Sequence, residues 1–349
     1  MLSRREFLAA AAALLAAPTV WSQSSKRRTR LVQTATDRFD LVAGSGSRFR
    51  ILQLTDTHFG TAEERNRLKD ARTERLIRKL VEEHEPDFLF HTGDFINNDR
   101  PNPEFGALRF MNSLGVPWSL AFGNHDHPNG KPGQKSLEEF HASLGEAAHM
   151  GYAEQDGRRD YCFRIDLRAP NGRAFASLFV FNTGDPQSGM KVNESQTRWF
   201  LAQMEADRAA GVRTPVYVMQ HIPTIEYHEV YEKGLAVGRR GEAVCFELDR
   251  GEIFRHYADS GRVRAVLCGH DHVNDYLGAL QSVNLVYGRC SGYSGYGDWE
   301  RGARILDLDP RTGRARTRVV LAKNANEKPE WSLTLRESEL AWPPPAQKV

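Results

Sequence analysis

The sequence predicts an α/β domain with a parallel sheet, and three observations predict it. Short apolar runs alternate with longer amphipathic stretches, strand then helix, through the first half of the chain. Several of the apolar runs end in polar motifs rich in Asp, Asn and His, at the edge where open α/β sheets gather ligand sites. No internal repeat at solenoid spacing competes with this pattern.

Residues 49–54 form an apolar strand that runs into Thr55-Asp56-Thr57-His58. Leu68, Leu76, Ile77, Leu80 and Val81 then recur at helical spacing over 62–83. The next strand covers 87–92 and closes in Gly93-Asp94. A helix over 103–114 leads to a strand over 117–122, which runs into Gly123-Asn124-His125-Asp126. In the second half, 161–167 and 175–181 read as an antiparallel pair of strands. Asn193, followed three residues later by Gln196, is a capping-box signal for a helix over 196–210. A strand over 216–220 delivers His221, a helix covers 251–260, and a strand over 263–268 delivers Gly269-His270-Asp271-His272. Strands near 285–287, 303–308 and 317–321 are expected to complete a second sheet.

Composition bounds the function class. The 349 residues, 40% hydrophobic and 26% charged, supply a core for one large domain or two small ones. With 47 basic and 45 acidic side chains, no basic excess argues for nucleic acid as an obligate partner. Cys162, Cys245, Cys268 and Cys290 contain no C-x-x-C pair, so they suggest neither a zinc ribbon nor a dense disulfide framework. One or two disulfides stay open, with no pairing specified.

Ser3-Arg4-Arg5-Glu6-Phe7-Leu8 is a twin-arginine pattern followed by an apolar run over 7–17. That run is shorter than the ~20 residues a spanning helix needs, and Ser22 with Val20 two before it suits signal-peptidase cleavage. The expected organisation is a signal peptide over 1–22, a polar linker over 23–46, one domain over 47–323 and a proline-containing tail over 324–349. The protein is then expected to pass through the twin-arginine export machinery into the periplasm or medium. No later segment is long enough to span a membrane. Export in a folded state suits a metalloprotein that must acquire its metal first.

Seven residues are candidate metal ligands: Asp56, His58, Asp94, Asn124, His221, His270 and His272. Asp56 and His58 lie two apart, so on an extended strand end both side chains point the same way. Asp94 and Asn124 each follow a glycine, which lets the backbone turn sharply. Four imidazoles, two carboxylates and one amide exclude a thiolate cluster and argue against an all-oxygen calcium site. Seven ligands are too many for one tetrahedral zinc but suit two ions sharing a carboxylate. Two such ions ~3.5–4 Å apart would turn a bridging water into hydroxide near neutral pH.

The order D-x-H, G-D, G-N-H-D, H, G-H-x-H over about 48–304 resembles the calcineurin-like metallophosphoesterase superfamily. Gln220-His221-Ile222-Pro223, the run from Gly269 to Asp275 and Gly295-Tyr296-Gly297-Asp298-Trp299 resemble the branch related to small purple acid phosphatases. The resemblance implies a four-layer α/β/β/α sandwich with a dinuclear site at the strand ends. It assigns Asp56, His58 and His272 to a first metal, Asp94 to a bridge, and Asn124, His221 and His270 to a second. It gives His125 the outer-shell role of contacting phosphate and protonating the leaving group. The expected cofactors are two divalent or mixed-valent ions, Mn, Zn or Fe. The expected substrate is a small phosphate monoester, attacked by the metal-bridging hydroxide. Two alternatives stand beside it: a phosphodiesterase on the same centre, and a binding module without turnover. Purple acid phosphatases carry a tyrosine three residues after the bridging aspartate, and Asn97 stands there in this chain. No tyrosinate-to-iron colour is therefore expected.

Other features have blander readings. His84, His141, His149, His228 and His256 read as surface or loop residues, and His91 as packed within the sheet. Asp126 and His127 read first as loop hydrogen-bonding groups, with orientation of His125 as the alternative. Cys268 reads as a buried core thiol. The stretch 291–297 is either a wall of the cleft or a tight turn. The stretch 226–241 reads as a surface excursion, with a substrate loop as the alternative.

Overall fold

The computed structural model describes residues 29–60, 64–97, 104–127, 139, 141–142, 148–155, 157–324 and 333–341. The expected signal peptide lies outside the described residues.

Strands are numbered in chain order. One mixed sheet has β3 (Phe49–Leu54), β4 (Phe88–His91) and β5 (Trp118–Leu120) in parallel, as the strand-then-helix alternation requires. Beside β3 it continues antiparallel through β15 (Gly302–Leu308), β16 (Ala315–Asn324) and β17 (Leu333–Ala341). The second sheet runs, in spatial order, β1 (Arg30–Ala35), β2 (Arg38–Val42), β8 (Phe163–Arg168), β9 (Ala174–Val180), β10 (Val216–Met219), β12 (Val263–Cys268), β14 (Val283–Tyr287), β13 (Asn274–Leu280) and β11 (Ala236–Arg240). A small ribbon pairs β6 (Ala153–Gln155) with β7 (Arg158–Asp160).

Side-chain alternation along the strands sorts the core into three apolar layers. Leu52, Leu54 and Leu89 face Leu76, Ile77 and Leu80 of helix α1 (Glu64–His84) and Leu108 and Met111 of α2 (Glu104–Ser113). Phe49, Ile51, Phe88 and Phe90, on the opposite face, meet Phe163, Ile165, Leu178, Val180 and Met219 of the other sheet. Beyond that sheet, Phe179, Val216, Val218 and Val266 pack on Trp199 and Phe200 of α3 (Glu194–Ala209), Tyr227 of α4 (Ile225–Glu232), and Ile253, Phe254 and Tyr257 of α5 (Glu252–Asp259). The layer order is helix, sheet, sheet, helix. Asn193 and Gln196 form a reciprocal capping box at the start of α3.

Three readings of the sequence change here. The strands over 303–308 and 317–321 do not build a second sheet. β15 pairs antiparallel with β3, placing Leu306 opposite Ile51, so both strands extend the first sheet. The segment read as linker over 23–46 carries β1 and β2, and β2 pairs in parallel with β8. Phe39 and Leu41 alternate with Arg38 and Asp40 and bury in the inter-sheet layer, a strand signal masked by the polar composition around it. The segment read as tail contains β17, which pairs with β16. All four cysteines are free thiols, with Cys268 fully buried in the core and Cys245 exposed.

Candidate metal centre

Parallel strands bring their carboxyl ends to one edge, and here two sheets do so face to face. β3 and β4 leave the sheet side by side. Asp56 N–H donates to Gly93 O and His58 N–H to Asp94 O, both at 3.0 Å, so the two loops travel together. β10 delivers His221 and β12 delivers His270 and His272 from the facing sheet.

The backbone at these positions is unusual. Asp56, His58, Asp94 and His270 all have φ in the left-handed region, at 54°, 46°, 53° and 76°. Each non-glycine residue held there costs roughly 1–3 kcal/mol, and such residues cluster at functional sites. Asp56 and His58 therefore converge through two left-handed turns, not through the same-side alternation of an extended strand. Gly93, at φ 93°, does supply the sharp turn expected before Asp94. Gly123 serves differently. A Cβ there would lie 2.3 Å from Asp94 Oδ1 and 2.8 Å from His221 Cδ2, so its lack of a side chain lets the loop press against the centre.

Among the described residues, two groups of possible ligand atoms, each within 4.8 Å of one another, consist of the candidate ligands alone: Asp56, His58, Asp94 and His272, and Asp94, His221 and His270; a third joins His270 to Cys245 and Asp271. Asp94 belongs to both of the first two. Its Oδ2 is 3.5 Å from His58 Nε2, and its Oδ1 is 3.3 Å from His221 Nε2. His272 Nε2 lies 3.4 Å from Asp56 Oδ1 and 3.1 Å from His58 Nε2. Outer contacts orient the rings. His221 Nδ1 is 2.7 Å from Thr92 O, and His272 Nδ1 is 3.2 Å from Tyr296 O. His270 Nε2 is 3.7 Å from Glu247, which itself sits at a left-handed φ of 50°.

Electrostatics favour a cation. Burial alone would push the Asp56 and Asp94 carboxyls up, yet His272 and His221 hold them below the usual carboxylate range. Burial pushes His58 down to about 3, so its ring is neutral with a lone pair to donate. His221 is raised against its burial by Asp94, and that proton answers the same negative charge a metal ion would. Asn124 Oδ1 and His221 Nε2 are buried polar atoms with no hydrogen-bond partner. Orphans of this kind are rare and costly in native interiors. Two buried carboxylates, the neutral His58 ring and the orphaned Asn124 amide oxygen fit hard or borderline divalent ions.

His125 stands at the exposed rim. Its N–H donates to Asp94 Oδ1 at 2.8 Å, and its Nδ1 is 3.1 Å from Asn97 Oδ1. Asp126 is a loop brace, accepting from the Gly123 N–H (2.8 Å) and the Ile96 N–H (3.0 Å). Burial, with Asp94 nearby, pushes its carboxyl up to about 7. His127 contacts Asn182, away from His125. His91 is buried beneath the centre, with Nδ1 accepting from Gly93 N–H and Nε2 against Thr57 Oγ1 at 2.9 Å.

A cleft of about 330 Å³ opens over these residues and is also lined by Asn97, Glu242, Cys245, Glu247, Ser294 and Tyr296. The stretch 291–297 is thus a cleft wall, and the Tyr296 ring stacks on His272 with centroids 4.0 Å apart. The stretch 226–241 does not line the cleft; it forms the rest of α4 and β11. The residues just after it, Glu242, Cys245 and Glu247, do. Sequence reasoning missed them because charged and thiol side chains on an irregular segment carry no periodic signal.

Comparisons with known proteins place this geometry. Residues 49–274 match the calcineurin-like phosphoesterase family. "Probable inactive purple acid phosphatase 28" of Arabidopsis thaliana is 29% identical over 306 residues, covering 76% of each chain. "Phosphatase DCR2" of Saccharomyces cerevisiae is 27% identical over 321 residues, covering 80% of this chain and 54% of its own length. Among solved structures, a dimetal phosphatase from Danio rerio superposes with a TM-score of 0.51 at 12% identity, covering 78% of this chain and 95% of that one. Its likeness concerns the fold. With the family matched across the segment that holds both groups of ligand atoms, the chain belongs to the calcineurin-like phosphoesterases and is related to the purple acid phosphatases.

Proposed function

We propose that the chain is an exported, metal-dependent phosphoesterase acting on phosphate monoesters. The observation that carries this reading is the position of Asp94 in both ligand groups, beside the orphaned His221 Nε2 and Asn124 Oδ1. In this reading Asp56, His58 and His272 hold one ion, Asn124, His221 and His270 hold the other, and Asp94 lies between them. Mn, Zn and Fe all suit this donor set. When bound, the ions supply Lewis acidity toward phosphate oxygens and lower the pKa of a water at the centre.

The chain's own residues do the rest. The Asp94 Oδ1 contact fixes the His125 backbone, and Asn97 fixes its ring, so the imidazole is held at the rim where a leaving alcohol departs. Tyr296, stacked on His272, walls the cleft on the other side. Asn97 is engaged with His125 in the position where the purple enzymes carry tyrosine, so no tyrosinate-to-iron charge-transfer colour is expected of the iron-loaded protein.

The test is hydrolysis of p-nitrophenyl phosphate and bis-p-nitrophenyl phosphate by protein loaded separately with Mn, Zn and Fe, with Asp94→Asn beside it. Metal-dependent monoester turnover that disappears in the variant supports the proposal. A preference for the diester moves the assignment to a phosphodiesterase on the same centre.

A second reading has a specific observation behind it. Three relatives at 29%, 26% and 25% identity carry the words "Probable inactive" in their names. Applied to this chain, that reading is a metal-loaded binding domain without turnover. Fully loaded protein that cleaves neither ester would favour it.

Export rests on Arg4 and Arg5 ahead of the apolar run over 7–17. Replacing both with Lys should retain the protein in the cytoplasm; unchanged export would remove that part of the proposal.

A further inference from the structure

A second cleft lies away from the metal centre. It has a volume of about 1130 Å³ and opens between the two sheets, at the amino ends of β10, β12 and β14. From Arg264, at this end of β12, to His270 is six residues of nearly extended chain, which puts the metal centre about 20 Å away.

The floor of the cleft is apolar. Leu267, Val286, Leu306 and Leu308 lie beneath it and belong to the buried inter-sheet core, and the apolar side chains that reach its surface are Pro215 and Ala315. Its rim is cationic, with Arg48, Arg213, Arg264, Arg311, Arg314 and Arg316 against two carboxylates, Asp307 and Asp309. Those carboxylates are already satisfied. Asp307 takes Arg50 in a fork at 2.7 and 2.9 Å, Arg318 at 2.8 Å and Arg48 at 3.3 Å. Asp309 accepts from Arg311 N–H at 2.7 Å and Thr312 Oγ1 at 3.0 Å, with the Arg311 guanidinium at 3.7 Å. Arg213, Arg264, Arg314 and Arg316 have no carboxylate partner among the described residues.

Arg264 owes its place to an irregular strand. Val216 pairs with Val263 and Tyr217 with Ala265, so Arg264 is the extra residue of a bulge in β12. Bulges of this kind re-aim a side chain and recur beside binding sites. An apolar floor under a few convergent charged groups is the usual make-up of a small-molecule site, and guanidinium groups recognise planar or tetrahedral oxyanions.

We propose that this cleft is a second ligand site, for an amphipathic anion whose acidic head pairs with Arg264 and Arg314 and whose apolar body lies on Pro215 and Ala315. The site is independent of phosphoester hydrolysis at the metal centre. The head could belong to a free amphiphile or to a lipid in a bilayer; the free molecule fits a recessed floor between two sheets.

The test is calorimetric titration with decanesulfonate below its micelle concentration, run on metal-loaded and metal-stripped protein so that anion binding at the metal centre shows as the difference between them. The expected result is one site per chain, at least tenfold weaker binding of methanesulfonate, and at least tenfold weaker decanesulfonate binding in the Arg264→Glu/Arg314→Glu variant, with metal content unchanged. Arg264→Ala alone should weaken binding in the same direction, which guards against a folding defect in the double variant. No saturable binding, equal binding of methanesulfonate, or undiminished binding in both variants would overturn the proposal. Sedimentation with phosphatidylglycerol vesicles separates the two sources. The protein should stay in solution, and co-sedimentation that Arg264→Glu/Arg314→Glu abolishes would overturn the free-amphiphile assignment.

Discussion

His221 faces Asp94 across 3.3 Å with its Nε2, while its Nδ1 lies 2.7 Å from the carbonyl of Thr92, two residues before that aspartate. A carbonyl only accepts, so Nδ1 carries the proton, and in the neutral ring Nε2 presents its lone pair to the centre. One loop thus both anchors the ring and supplies the carboxylate it faces. His221→Ala should reduce bound metal from about two ions per chain to about one, and should lower phosphoester turnover by ~100-fold or more. Metal analysis by plasma mass spectrometry beside initial rates checks both numbers.

Gly123 makes a steric prediction. Alanine there would place its Cβ 2.3 Å from Asp94 Oδ1 and 2.4 Å from the Asp94 backbone nitrogen. Overpacking of this kind typically costs about 2 kcal/mol, and here the strain falls on the residue shared by both ligand groups. Gly123→Ala should lower the melting temperature by several degrees and lose metal under dialysis that leaves the parent loaded. A variant with normal melting and normal metal retention would contradict the close-approach account.

Asn97 should act through His125. Asn97→Ala removes the contact at 3.1 Å without touching a ligand atom. The expected effect is about a tenfold fall in kcat with KM and metal content little changed, since a free imidazole finds its working orientation less often. A fall in KM-dependent binding or in metal content instead would assign Asn97 a different role.

Glu226 makes a pH prediction. It is buried at the start of α4, and burial, with Asp249 nearby, pushes its carboxyl up from 4.5 to about 7. The folded state therefore holds this proton more tightly than the unfolded chain. Its contribution to stability is present in full below pH 4.5 and is lost as pH rises through about 7. Glu226→Gln removes that loss. Near pH 4.5 the two proteins should melt alike, and at pH 8 the variant should be more stable by about 2 kcal/mol, discounted for partial solvent access. Thermal melts at the two pH values check the sign.

Much of this architecture is legible in the chain, for identifiable reasons. Leu52 and Leu54 alternate with Ile51 and Gln53, and Leu76, Ile77 and Leu80 repeat at helical spacing, so β3 and α1 announce themselves. Pairing does not. Ile305 packs toward α1 and Leu306 toward the second sheet, so β15 is apolar on both faces and its periodicity says nothing about which sheet accepts it. β1 and β2 hide because Arg, Thr and Asp outnumber Phe39 and Leu41 locally. At the candidate centre, histidine-containing motifs at strand ends point to the right edge of the fold, but not to how it is built. The left-handed turns at Asp56, His58, Asp94 and His270 arise from tertiary contacts that hold non-glycine residues where few would stay unaided.

The most direct test of the proposed two-ion centre is anomalous diffraction from crystals of the protein grown with Mn. The account predicts two strong peaks roughly 3.5–4 Å apart on either side of Asp94, one beside Asp56, His58 and His272 and the other beside Asn124, His221 and His270. A single peak, or peaks placed away from Asp94, would contradict it.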